Sequence, residues 1–429
     1  MALTKCRTNT LVKLSLAFNA FTLLYYSFDN TTVSKDDILN GFQARRKALA
    51  SWYNTYRSLP SPSDNVCSIN ILLFGMKQHW LQFCKFPEMA HYGHLVDFPR
   101  TFYCPEVNCT VTLMYSQEQQ HVHGPDIVVF TDVYKWLTHE QWTWTHGNRS
   151  DSQPWVMISL ESPLYVPGLR PPPQYRDTSY NWIASYKFDS EIHLPYGFYE
   201  PYGENKPPDV DLKMFLANKT KLIAWMSSNC DTLQWDRRRL VEEISQIIHV
   251  DTFGKCGDVE VPWNDDKALR DVLGNYKFYL SFENSCCDDY ITEKFWRALG
   301  MGLVPVVVGA SYDHYRKVAP PNSFIHVDQF DSLSDLAIHL TLASNNDEKY
   351  LEYLQWKNMG KVTFYSQEEQ YIRPLTNETH CRIVQQYLKT NRTADKTIEY
   401  MGKRWAESCT GCGSKWIQTF HQKNFRQND

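Results

Sequence analysis

Residues 276–310 read YKFYLSFENSCCDDYITEKFWRALGMGLVPVVVGA. The run YKFYLSF predicts a strand, with Glu283 and Asn284 at its carboxyl end. A loop follows, a helix opens around Tyr290 to Lys294, and LVPVVVG at 303–309 predicts the next strand. Strands without polar alternation, separated by a helix, suit a parallel sheet covered on both faces. The first turn of a helix offers backbone N–H groups and the positive end of its dipole, a setting suited to a phosphate. Lys294 stands in that turn, where the dipole disfavours a cation. An anionic ligand would explain it, and so would a counter-charge from Glu293 or Asp289.

The same pattern runs outward in both directions. KLIAWMSSN at 221–229 predicts a strand ending in Ser227, Ser228 and Asn229. DRRRLVEEISQIIHV at 236–250 predicts a helix with Leu240, Ile244, Ile247 and Ile248 on one face. HVDTFG and FIHVD (324–328) supply further strands. In such a doubly wound sheet ligands lie at the carboxyl ends of the strands, here Ser227–Asn229, Glu283-Asn284 and Gly309-Ala310. An earlier α/β unit begins near Cys67, with strands expected in INILLFG (69–75), DIVVFTD (126–132) and WVMISLES (155–162). The stretch from Pro195 to Pro208, rich in Pro, Gly, Tyr and Asn, reads as an interdomain hinge. The expectation is two α/β domains facing each other across a cleft, at 66–205 and 206–370, and a C-terminal tail at 371–429.

F-E-N-S-x-x-x-D-Y-I-T-E-K-F-W-R-A-L, followed by V-P-V-V-x-G, resembles the donor-site signature of the α1,3-fucosyltransferase family. KLIAWMSSN resembles the opening strand of the family's donor domain. LESP at 160–163, the PGL after it and DSEIHLPYG at 189–197 resemble its acceptor-side signature. The resemblance extends from about Cys67 to Trp356, and a C-terminal C-x-x-C also recurs in the family. It implies two facing Rossmann-like domains of the GT-B type, and inverting transfer of L-fucose from GDP-fucose to a glycan hydroxyl. O3 of a GlcNAc on N-glycans or related glycoconjugates is the acceptor expected. Lys294 and Arg237, with Arg238 as alternate, would hold the diphosphate. Tyr290 and Glu293 would contact the nucleotide sugar, Asn284 would line the pocket, and Ser228, Asn229 and Glu283 complete the expected donor site. Glu161 matches the proposed general base. The loop after Asn284 departs from the family, since Cys286-Cys287-Asp288 is this chain's own.

Each of these residues has a plainer reading. A Glu at a strand end before Pro, like Glu161, is commonly a turn residue, and Glu283 could serve backbone N–H groups. Arg237, Arg238 and Arg239 would usually be a solvated face, with only one needed inside. Trp296 reads as core. Asp209-Val-Asp211 has the letters of a metal-binding Asp-x-Asp but no apolar strand before it, and reads as a solvated loop. No cofactor and no metal site are therefore expected, with stimulation by a divalent cation left open.

Composition frames this reading. The chain has 429 residues, 43% of them hydrophobic, which is more than one ordinary core holds. A net charge of −4 gives no cationic surplus for a nucleic-acid backbone. LVKLSLAFNAFTLLYYSF at 11–28, with Lys5, Arg7 and Lys13 at its start and Asp29, Asp36 and Asp37 after it, reads as a signal anchor. It would leave a cytosolic tail at 1–10 and a stem at 29–65. A cleaved signal peptide is the alternative, but bulky Tyr25, Tyr26 and Phe28 stand where small residues would be cleaved. Sequons begin at Asn30, Asn108, Asn148, Asn218, Asn377 and Asn391. Of the 12 cysteines only Cys6 precedes the anchor; in an oxidising lumen most of the others should pair, the odd number leaving at least one over. Cys409-Thr-Gly-Cys412 could be a redox motif, a zinc half-site or a disulfide pinning the tail, and the last is favoured. With the resemblance, these features place the chain in the Golgi membrane as a single-pass type II protein. Two alternatives stay open. One is a catalytically silent lumenal glycan-binding protein of the same fold. The other is a fucosyltransferase acting on the N-glycan core or protein-linked sites.

Overall fold

The computed structural model describes residues 67–75, 100–116, 118–130, 137–165, 172–175, 178–204, 206–230, 234–261, 265–364, 377–390, 405–409, 412–413 and 416–420. The expected anchor and stem, Cys6, Cys84, Asn30 and Asn391 lie outside these residues. Among the described residues no helix is long and apolar enough to cross a membrane.

The first sheet holds β1 (Cys67–Phe74), β2 (Arg100–Cys104), β3 (Cys109–Ser116), β4 (Ile127–Phe130), β5 (Trp155–Ser159), β6 (Trp182–Ser185) and β7 (Ile192–His193). Their order is β2-β3-β1-β4-β5-β6-β7, parallel throughout except between β2 and β3. The expected strands are present with shifted ends, as β1, β4 and β5, and β2, β3, β6 and β7 are additional. In β3 the threonines of CTVTLMYS interrupt the apolar run, yet Thr is β-branched and sits well in a strand; Thr112 is buried.

The segment from Pro195 to Pro208 is not an open hinge. It contains β8 (Gly197–Pro201), whose partner arrives from far along the chain. The second sheet comes between them: β9 (Lys221–Met226), β10 (Asp251–Phe253), β11 (Tyr276–Phe282), β12 (Val304–Val308) and β13 (Ile325–His326). It is wholly parallel, in the order β10-β9-β11-β12-β13. Beyond it, β14 (Gly360–Phe364) pairs antiparallel with β8 and ties the end of the second unit to the exit from the first.

Three helices bear on the site. In α1 (Arg237–Ser245), capped by the Asp236 side chain, Leu240, Val241 and Ile244 are buried. Ile247 was expected on that face but is half exposed. The helix stops at Ser245, so the 3.6-residue period no longer sets the direction of Ile247. Helix α2 (Glu293–Gly300) buries Phe295, Trp296, Ala298 and Leu299, so Trp296 is core as read. Helix α3 (Asn377–Lys389) returns to the first unit, where Cys381 bonds Cys104 and Arg382 Nη2 donates to the His193 carbonyl at 2.8 Å.

The other disulfides are Cys67–Cys109, Cys230–Cys256, Cys286–Cys412 and Cys287–Cys409. Cys409 and Cys412 thus do pin the tail, through the adjacent pair Cys286 and Cys287, and neither the redox nor the zinc reading applies to them as bonded.

Candidate active site

The order of the second sheet reverses between β9 and β11, and a crevice forms at such a switch point beyond the carboxyl ends of the strands. Ser227 to Asn229 leave β9 there and Glu283 leaves β11. Arg237 spans the two ends. Its guanidinium donates to Phe282 O at 3.2 Å, Asn229 O at 2.8 Å and Ser227 Oγ at 3.3 Å, and the residue is buried. Arg238 and Arg239 point outward and pair with Glu242 and Glu243. Of the two diphosphate candidates, Arg237 is the one inside.

Glu283 is fully buried at the foot of α2. Its carboxylate accepts from Thr292 N at 2.8 Å and from Thr292 Oγ1, and pairs with Lys294 Nζ at 3.1 Å. An acidic group from β11 therefore already occupies the helix start that was read as an anion site, and Glu283 serves the backbone as its plainer reading had it. Lys294 also meets Glu293 at 3.2 Å and Thr292 Oγ1 at 2.8 Å. Its counter-charges are Glu283 and Glu293, not Asp289. Burial pushes the Glu283 carboxyl up, against the pull of Lys294. At Glu293 burial acts upward too, but Lys294 and Arg297 outweigh it and hold the carboxyl low. Burial opposes the charge on Lys294, yet the two carboxylates raise its pKa. The cation is thus held charged beside two acids. Gly309, at the end of β12, permits this packing, because a Cβ there would lie 2.8 Å from Glu283 Cγ.

Glu161 follows β5 in the first sheet. Its backbone N–H donates to Ser159 Oγ at 3.2 Å, and the preceding carbonyl, Leu160 O, accepts from Tyr196 Oη. The next residue, Ser162, meets Ser285 of the second unit, Oγ to Oγ at 2.8 Å, both fully buried. Tyr290 crosses the same seam: its hydroxyl donates to Glu161 Oε2 at 3.1 Å. The Tyr290 ring lies 4.9 Å from that of Tyr186 and 6.5 Å from that of Tyr196. Asp289, whose φ of 62° lies in the left-handed region, accepts from Phe188 N at 3.1 Å. Burial first, then the charge of Glu161, drives the hydroxyls of Tyr186, Tyr196 and Tyr290 well above the usual tyrosine range.

Glu161, Arg237, Glu283, Tyr290, Glu293 and Lys294 thus share one junction. Asn284 lies beside it with a buried Oδ1 that has no hydrogen-bond partner among the described residues. Asn229 offers its carbonyl to Arg237, and Ser228 is exposed. Two other acceptor-side groups that could take a proton differ in setting: His193 Nε2 lies 3.1 Å from Tyr186 O, and Asp189 is exposed beside Lys187. Asp209, exposed next to Lys206, and Asp211, capping the helix Leu212–Ala217, form a solvated loop as expected. Asn108, Asn148 and Asn218 are exposed; Asn377 opens α3. Tyr186, Ser162, Ser285 and Thr292 were missed as site residues. Tyr196 lay in plain view within the quoted DSEIHLPYG.

Residues 71–197 match the N-terminal fucosyltransferase family, and 216–405 match the C-terminal part of glycosyltransferase family 10 (fucosyltransferase). The rat alpha-(1,3)-fucosyltransferase 7 is 34% identical over 271 residues, covering 62% of this chain and 69% of that protein. The bovine alpha-(1,3)-fucosyltransferase 4 is 42% identical over 220 residues, 50% of this chain and 53% of its own length. The chain thus spans about half the length of that relative. A crystal structure of an alpha1,3-fucosyltransferase with GDP-fucose aligns over 82% of this chain and 98% of its own, at 16% identity and a TM-score of 0.46. The chain belongs to the fucosyltransferases of glycosyltransferase family 10.

Proposed function

We propose that this chain is an inverting α1,3-fucosyltransferase of GT-B architecture that moves L-fucose from GDP-fucose to a glycan hydroxyl. O3 of a GlcNAc on an N-glycan or related glycoconjugate is the acceptor. The observation that carries the reading is the meeting of Glu161 from the first unit with Tyr290 of the second, in the same loop-and-helix segment as Lys294. A base and a cation thereby flank one junction.

Inversion needs a base on the face of the sugar opposite the leaving group. Glu161 takes the proton of the acceptor hydroxyl as its oxygen bonds to the fucose carbon. The bond from that carbon to the GDP oxygen breaks with its electron pair leaving on GDP. Lys294 and Arg237 neutralise the charge that develops there. Both cations are already bonded within the protein, so the diphosphate exchanges with protein oxygens as partners. Asn284, next to Glu283 at the same strand end, lines the nucleotide-sugar pocket in this reading. The reaction calls on no cofactor; a divalent cation would serve only to screen the diphosphate.

The same reading puts the catalytic part in the Golgi lumen, anchored through 11–28. The five disulfides support an oxidising compartment. Protease treatment of sealed microsomes should spare the C-terminus until detergent is added.

The test of the activity is Glu161→Gln, assayed with GDP-fucose and a panel of N-glycan acceptors. The amide keeps shape but takes no proton, so turnover should fall by about a hundred- to ten-thousand-fold with GDP affinity retained. Near-normal turnover would remove Glu161 as the base.

A further inference from the structure

We propose that Tyr290 is the positioning residue of the catalytic base, its hydroxyl fixing the Glu161 carboxylate through Oε2. The inference rests on the assignment of Glu161 as base, and it moves Tyr290 from the donor to the acceptor side of the junction.

The geometry is specific. Tyr290 lies four residues before Lys294, and its hydroxyl reaches a carboxylate of the other unit at 3.1 Å. The ring is fully buried, between Tyr186 and Tyr196. Its backbone is held on both sides. Tyr290 N donates to Cys287 O at 3.2 Å, Cys286 and Cys287 are each disulfide-bonded to the tail, and Ser285 meets Ser162. Asp289, immediately before it, is tied to Phe188. A side chain so confined has one direction in which to donate. A buried phenol that resists ionisation stays a donor across the working pH range. Glu161, by contrast, follows a strand end in a bend, where the backbone alone leaves several side-chain rotamers open. Tyr290 selects one of them. Because the tyrosine comes from the donor unit, the base is oriented only when the two units are docked along this seam.

Among the described residues, Tyr186, Tyr196 and Tyr290 around it and the ammonium of Lys294 from α2 act on this carboxylate. A hydrogen bond donated to the ionised form of an acid lowers its pKa. Removing the Tyr290 donor should therefore move the acidic limb of the kcat profile to higher pH.

The experiment is steady-state kinetics on Tyr290→Phe in the disulfide-intact lumenal protein, with thermal denaturation alongside. A hydrogen bond to a charged group predicts a kcat about ten- to a hundred-fold lower. The acidic limb should shift up, the KM for GDP-fucose should change little, and the loss should not add to that of Glu161→Gln. A monofluorotyrosine at 290 keeps the ring and strengthens the donor, so the limb should shift down; this readout serves even where the phenylalanine variant folds poorly. A raised KM for GDP-fucose with kcat and limb unchanged would make Tyr290 a donor contact and overturn the inference. So would unchanged kinetics in Tyr290→Phe beside an inactive Glu161→Gln. Normal turnover in Glu161→Gln would instead remove the base assignment, and this inference with it.

Discussion

Lys294 and Glu283 form an ion pair of 3.1 Å in which the Glu283 side chain is fully buried and the Lys294 side chain is 19% exposed. Glu283 in turn accepts from Thr292 and so fastens the start of α2 to the end of β11.

Removing the lysine should therefore have two separable effects. Lys294→Ala strands a buried carboxylate, which costs about 3–5 kcal/mol in comparable pairs. It also deletes a charge-assisted contact to diphosphate. Adding Glu283→Gln should restore most of the thermal stability without restoring GDP affinity, as read by calorimetry and denaturation of single and double variants. Recovery of GDP binding in the double variant would mean that Lys294 is structural only.

Gly309→Ala probes the same pair from the other side. The new Cβ would meet Glu283 Cγ at 2.8 Å, and Glu283 has no room to retreat. Overpacking of this kind costs about 1–3 kcal/mol. The unfolding midpoint should fall, and GDP should bind more weakly as Glu283 is pushed off Lys294. An unchanged midpoint would show that the end of β12 yields.

Much of this site could be read from the residues. The ends of β9, β11 and β12 followed from apolar runs meeting polar residues, and Arg237 was favoured over Arg238, with only one of the three arginines needed inside. The capping of α2 by Glu283 was weighed as an alternative. The link from Tyr290 to Glu161 was not legible, because it depends on the path of a loop that passes through a left-handed Asp289. Strands β2 and β3 hid behind their threonines and charged flanks, and Ile247 was misplaced because periodicity does not announce where a helix ends. Disulfide partners were equally hidden. Spacing shows that cysteines exist in numbers to pair, but not which sulfurs the fold brings together.

Those partners can be tested directly. Peptide mapping under non-reducing conditions should recover Cys286 linked to Cys412 and Cys287 to Cys409, never Cys409 to Cys412. In Cys409→Ser/Cys412→Ser the tail loses both bonds. Each closes a long loop, worth about 2–5 kcal/mol in the chain-entropy picture. The tail also brings Trp405 against Tyr186, 5.7 Å between rings, and Ser408 O to Asp288 N. The double variant should lose stability and turnover together. Retained turnover would mean that the loop carrying Tyr290 holds its shape unaided.

A pH-dependent stability is built in away from the site, at Lys219. Its ammonium is buried, donating to Gly274 O at 2.7 Å and Met301 O at 3.3 Å near the end of α2. Burial, and then the charge of Lys357, lowers its pKa from 10.5 to about 7. Lys357 lies 4.5 Å from the Trp356 ring and is itself lowered to about 8 by burial. With the folded value depressed, the unfolded chain binds the extra proton between about pH 7 and about pH 10, so folding stability rises with pH across that window. The gain is at most ~1.4 kcal/mol per pH unit for one full proton. Lys219→Met keeps the stem packed and removes the titration. Its denaturation curves should lie flatter than wild type from about pH 7 to about pH 10, whatever their absolute level, since the variant also leaves two carbonyls without a donor. Parallel curves for the two proteins would show that Lys219 stays protonated in the folded chain, its charge satisfied by the Gly274 and Met301 carbonyls.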